Sequence, residues 1–123
     1  MSTPVYLVSA DSEPQRAKDV TAKVIKVLEK EYNVVHIANC ESISTIKHVL
    51  KSLVTPPRLL VVSGSFFDEE TEEIREIAQR AVPGIRLIAI PNDLNDLGRV
   101  RGDEELVEFL LEQIESSGVP TRG

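Results

Sequence analysis

Four apolar residues, Leu59-Leu60-Val61-Val62, run without a break into Ser63-Gly64-Ser65. A stretch with no polar alternation has no face to offer water, which is the situation of an interior strand in a parallel sheet covered by helices on both sides. The carboxyl ends of such strands face the crevice where open α/β sheets bind ligands. Ser63 therefore stands where chemistry is expected, yet no charge, thiol or imidazole stands with it.

The rest of the chain repeats the pattern of a short apolar run followed by a longer stretch of helical period. Val5 to Ala10 reads as the first strand. Ser12 then suits a helix cap, with Gln15 in the capping-box position and Pro14 in the first turn. The spacing of Ala17, Val20, Val24, Val27 and Leu28 predicts one buried helix face, ending near Tyr32-Asn33. The second strand is expected over Val34 to Ala38. Ile43, Ile46, Val49, Leu50 and Leu53 face inward on the helix after it, until Thr55-Pro56-Pro57 stops the ladder. After the third strand, Leu59 to Val62, Asp68 is placed to cap a helix that buries Ile74, Ile77, Ala78 and Ala81. Pro83-Gly84 ends it. Ile85 to Ile90 is the fourth strand, Pro91 to Gly98 reads as turns, and Val100 is a candidate for a short fifth edge strand. A last helix opens at Gly102-Asp103-Glu104-Glu105 and carries Leu106, Phe109, Leu110 and Ile114 inward. Ser116 to Gly123 is expected to fray.

These elements specify one α/β domain spanning residues 1–123, with an ordered core over about 4–116. Right-handed crossovers place helices on both faces of a parallel sheet of four to five strands, a three-layer αβα arrangement with the order 2-1-3-4(-5). Strands one and three are then neighbours. Their carboxyl ends, Asp11-Ser12-Glu13 and Ser63-Gly64-Ser65, flank the crevice at which the strand order reverses.

Net charge narrows the function. With 14 Lys and Arg against 20 Asp and Glu, the chain carries −6 at neutral pH, the wrong sign for a surface that displaces counterions from phosphates. Nucleic acid is not an expected partner. Lys18, Lys23, Lys26 and Lys30 recur at helical spacing among acids and read as a solvated face. No apolar run approaches the ~20 residues of a membrane span. Met1 to Ala10 lacks the basic and apolar regions of a secretory signal, so a cytoplasmic location and no membrane association are expected. The single Cys40 can form no disulfide within the chain, and no cluster of metal-ligand residues is legible, so no metal and no cofactor are expected.

Candidate crevice residues are Asp11, Ser12, Glu13, Ser63, Gly64, Ser65, Asp93 and Arg99. Asp11 and Glu13, with Asp93 or Asp96, have the chemistry to hold Mg²⁺ or Ca²⁺. Capping and the helix dipole account for the first two without a ligand. Ser63-Gly64-Ser65 offers amides and hydroxyls to an anion but lacks the glycines and lysine of a phosphate loop. The run Asp68-Glu69-Glu70-Thr71-Glu72-Glu73 is either a solvated helix start or a negative patch that steers a basic partner. Asp68, Glu69 and Glu72, with Phe109 and Leu110 of the last helix, form the candidate interaction surface. His36 in the second strand and His48 on the second helix read as structural.

The segment Ala10-Asp11-Ser12-Glu13-Pro14-Gln15-Arg16 resembles the acidic stretch after the first strand of a response-regulator receiver domain. Arg58-Leu59-Leu60-Val61-Val62-Ser63 resembles that family's acceptor strand, with Ser63 at the position of the phosphorylated aspartate. The likeness covers the first ninety residues or so and implies a flavodoxin-like sheet and a role in signal transduction. Three features depart from it. The acceptor is a serine, the fourth strand runs into Pro91 in place of a hydroxyl residue, and the lysine before the last helix has only Gly98-Arg99-Val100-Arg101 as a counterpart, with about one helix absent ahead of it.

Aspartyl phosphorylation needs a carboxylate nucleophile, a divalent cation and a positive charge on the phosphoryl oxygens. The expectation is therefore a pseudo-receiver: a non-catalytic protein–protein interaction domain, not phosphorylated on aspartate, with a protein partner or a second copy as a homodimer. Two alternatives stay open. One is a small nucleoside deoxyribosyltransferase-like or nucleotide-hydrolysing enzyme with Glu73 or Glu76 as its carboxylate. The other is a small-ligand sensor at the crevice between strands one and three.

Overall fold

The computed structural model describes residues 4–63 and 70–122, with their side chains except those of Asn95 and Arg99. Nine elements follow in the order β1 (Val5–Ala10), α1 (Pro14–Leu28), β2 (Val34–Cys40), α2 (Ile43–Ser52), β3 (Leu59–Val62), α3 (Thr71–Ala81), β4 (Arg86–Ala89), α4 (Asn92–Arg101) and α5 (Glu104–Glu115). The strands form one all-parallel sheet ordered β2-β1-β3-β4. Helices cover both faces, giving the three-layer, flavodoxin-like arrangement that the βα alternation predicts. No helix among the described residues is long and apolar enough to cross a membrane.

Each face of the sheet has its own core. Leu7, Leu59, Val61 and Ile88 meet Val20 and Val24 of α1 and Leu106, Leu110 and Ile114 of α5. Val8, Leu60, Val62 and Leu87 meet Ile46 and Leu50 of α2 and Ile74 and Ala78 of α3. All four residues of β3 are buried, because alternate side chains feed opposite cores. Its unbroken apolar run follows directly from that double burial.

Several expectations need correction. Val27 is 61% exposed and leaves the buried face of α1, where Thr21 is buried instead. The position before α1 is held by Glu13 with no side-chain cap; Asp11 Oδ1 accepts the Glu13 N–H at 2.9 Å, while Gln15 donates to Asp19 Oδ1. Ser12 is exposed and Gln15 closes no capping box. The turn-rich reading of Pro91 to Gly98 gives way to a helix, and Val100 lies on that helix, 84% exposed. The described residues thus hold no fifth strand, and the helix thought absent is present. Beyond α5 the Arg122 N–H bonds Glu31 O at 2.7 Å, and Val119 packs on the α1/α5 core.

Gly98 explains why α4 reads as turns. A Cβ at this position would lie 2.8 Å from Asp103 Oδ1 and 2.9 Å from Arg16 Nη2. The glycine lets α4 close over that ion pair, so a residue that usually interrupts a helix is here a packing requirement.

Candidate functional site

The carboxyl ends of β1 and β3 lie side by side, with Ala10 opposite Val62 and the Ser63 N–H on Ala10 O at 3.0 Å. This register brings Asp11 and Ser63 together, 3% and 5% exposed. The Ser63 hydroxyl donates to Asp11 Oδ2 at 2.6 Å. With Oδ1 taken by the Glu13 amide, each carboxylate oxygen has a donor from the protein. A buried carboxylate survives only when its lone pairs are met in this way.

A second polar chain ends on the backbone of the same residue. Asn39 Nδ2 donates to the Asp11 carbonyl at 3.1 Å, and Asn39 Oδ1 accepts the Ser9 hydroxyl at 2.7 Å. Ser9 Oγ lies 2.8 Å from His36 Nε2. Because its one proton goes to Asn39, that oxygen accepts from the imidazole. Burial pushes the His36 pKa below 6.5, partly offset by a hydrogen bond to the Ala38 backbone. His36 is thereby a structural donor and no base for Ser63.

Above the crevice, Arg16 of α1 meets Asp103 at the start of α5, with Arg16 Nη2 3.2 Å from Asp103 Oδ1. That contact is an ion pair without hydrogen-bond alignment, since Oδ1 is buried and makes no aligned bond. Lys23 reaches Oδ2 at 3.3 Å. Among the described residues, the cation that lines the crevice is therefore held by a carboxylate. Between these groups remains a cavity of about 20 Å³, lined by Ser9, Asp11, Arg16, Thr21 and Ser63 on its polar side. It has room for about one water molecule, not for a nucleotide or a flavin.

Of the expected crevice residues that are described, Asp11 and Ser63 are joined through their side chains. Glu13 is half-buried at the start of α1; Ser12 is exposed, as is Asp93, whose carboxylate accepts the Leu94 N–H. Gly64 and Ser65 lie outside the described residues, and so does the Arg99 side chain. Among the described residues no three acidic, histidine or cysteine side chains converge as a metal site.

The interaction surface also changes. Asp68 and Glu69 lie outside the described residues, and Glu72 is exposed and 3.5 Å from Arg75. Phe109 is half-buried against the core, and Leu110, at 3% exposure, is a core residue withdrawn from that surface. Glu73 and Glu76 are exposed on α3, with Glu76 3.3 Å from Arg80, and neither lines the crevice. Cys40 is buried, and desolvation pushes its thiol up to about 11, against a smaller lowering by Thr45, so it stays protonated at neutral pH.

Sequence reasoning missed Ser9, Asn39, Arg16 and Asp103 as partners at the site. Ser9 alone carried a signal, as a polar residue inside an otherwise apolar strand. Comparison with protein-family models, with curated proteins and with solved structures finds no match for the chain.

Proposed function

We propose that this chain is a receiver-like domain that works by binding a protein partner and not by phosphotransfer. The observation that carries the reading is the 2.6 Å hydrogen bond from Ser63 to Asp11. In a receiver-like frame those positions would supply the acceptor and a cation ligand. Here the acceptor position holds a hydroxyl that donates a hydrogen bond to the carboxylate, and each carboxylate oxygen accepts a bond from within the protein. A serine hydroxyl whose hydrogen-bond partner is a carboxylate, ordinarily a weak base, is a poor nucleophile. The nearby carboxylate would also repel the phosphoryl oxygens, with Arg16 already committed to Asp103.

Incubation with acetyl phosphate and Mg²⁺, followed by intact-mass analysis in acid, tests the reading. The mass is expected to stay that of the unmodified chain. A gain of one phosphoryl group that mapped to Asp11 or Ser63 would overturn it.

A further inference from the structure

Among the described residues the sheet ends on β4. In a parallel strand, the N–H and C=O of one residue point to the same side. The Arg86 N–H bonds Arg58 O at 2.9 Å and the Ile90 N–H bonds Val62 O at 2.8 Å, so alternate residues, Leu87 and Ala89, turn their backbone groups outward. β4 pairs only with β3. Among the described residues nothing bonds those outward groups of Leu87 and Ala89. The residue before them shows what such an edge requires: Gln79 Nε2 donates to Ile85 O at 2.6 Å, and Gln79 Oε1 accepts the Gly84 N–H at 3.1 Å. Gln79 acts as a side-chain substitute for a neighbouring strand and covers the edge only as far as Ile85.

The opposite edge of the sheet differs. β2 carries an irregularity where the register shifts between Leu7 and Val8, a device that blunts strand addition. β4 runs in unbroken register. A groove of about 560 Å³ reaches the amino-terminal half of β4 at Arg86 and Leu87 and is lined also by Arg75, Gln79 and Ser117. A second groove of about 530 Å³ adjoins it through Gly84, Ile85 and Arg86 and adds Arg58. Among the described residues no acidic side chain lines either one, in a chain where acids outnumber bases 20 to 14.

We infer that β4 accepts an extended acidic segment of a partner protein as an added strand, its backbone on Leu87 and Ala89 and its carboxylates beside Arg86. Main-chain bonds supply the attachment and the arginine selects the charge. A second copy fits less well, because pairing two β4 edges brings two copies of Arg86 into a shared groove, like charge beside like charge. The inference rests on the reading of the chain as an interaction domain and names the partner's chemistry. Its test is read at Leu87 and Ala89, whereas the phosphotransfer test is read at Asp11 and Ser63, so the two can fail separately.

The probe is a short capped peptide alternating Glu and Val, with a Lys and Val peptide as control, titrated into the labelled protein and followed by amide shifts and hydrogen exchange. The Glu peptide is expected to protect the Leu87 and Ala89 amides and to bind about tenfold more tightly than the Lys peptide. Ala89→Pro removes only an outward N–H, which an edge strand tolerates, and is expected to abolish the protection. Arg86→Ala is expected to remove the preference for Glu over Lys even where Ala89→Pro fails to fold. Absence of protection with the Glu peptide, or equal binding of both peptides, overturns the inference. Protection of the same amides without peptide, together with a concentration-dependent dimer, assigns the edge to a second copy and overturns it too.

Discussion

Leu110→Ala is expected to destabilise the isolated chain by about 3 kcal/mol, the cost of deleting a large side chain from a core that cannot fully collapse around the gap. For a domain of this length that is a fall of about 10 °C in Tm. Leu110 is 3% exposed and belongs to the cluster that joins α5 to α1 and the sheet. The same substitution at a surface that only meets another molecule would leave the Tm of the monomer within about 2 °C. Thermal unfolding of dilute protein, where no oligomer forms, separates the two roles.

Ser63→Ala is expected to cost about 2 kcal/mol, or roughly 7 °C in Tm, because it strands Asp11 Oδ2 in a buried site. The lost hydroxyl itself matters less than the carboxylate left behind. Asp11→Asn tests the same bond from the other side, since an amide still accepts the Glu13 N–H and can donate to the Ser63 oxygen. It is expected to stay within about 1 kcal/mol of the parent. A Ser63→Ala protein as stable as the parent in chemical denaturation would show that the hydroxyl bond contributes nothing to closing the crevice.

The sheet was legible because its cause is local. An apolar run such as Leu59 to Val62 can be hidden only between two helical layers, and the alternation around it leaves little choice of strand order. α4 was not legible for an equally physical reason. Gly98 and the Asn and Asp residues around it carry turn chemistry in their composition, and the contact that demands the glycine comes from Arg16 and Asp103, distant in sequence or on another helix. The bond from the Arg122 N–H to the Glu31 carbonyl is likewise one that no local pattern announces.

The site divided along that line. Asp11 and Ser63 follow from strand order, which places the two carboxyl ends together. Their hydrogen bond, and the chain through Asn39, Ser9 and His36, depend on side chains from β1, β2 and β3 meeting in three dimensions. The acidity of Asp11 suggested a cation ligand. In the structure its two oxygens accept the Glu13 amide and the Ser63 hydroxyl, and no pattern local to Asp11 announces the second.

Whether that closure holds in solution is decided at the amides of Asp11 and Ser63. Titration of the labelled protein with Mg²⁺ and beryllofluoride, a mimic of the phosphoryl group, is expected to leave both cross-peaks where they stand in buffer. A saturable shift of Asp11 and Ser63 that required both Mg²⁺ and beryllofluoride would contradict it, and would mean that the Ser63 to Asp11 bond opens to admit a phosphoryl group.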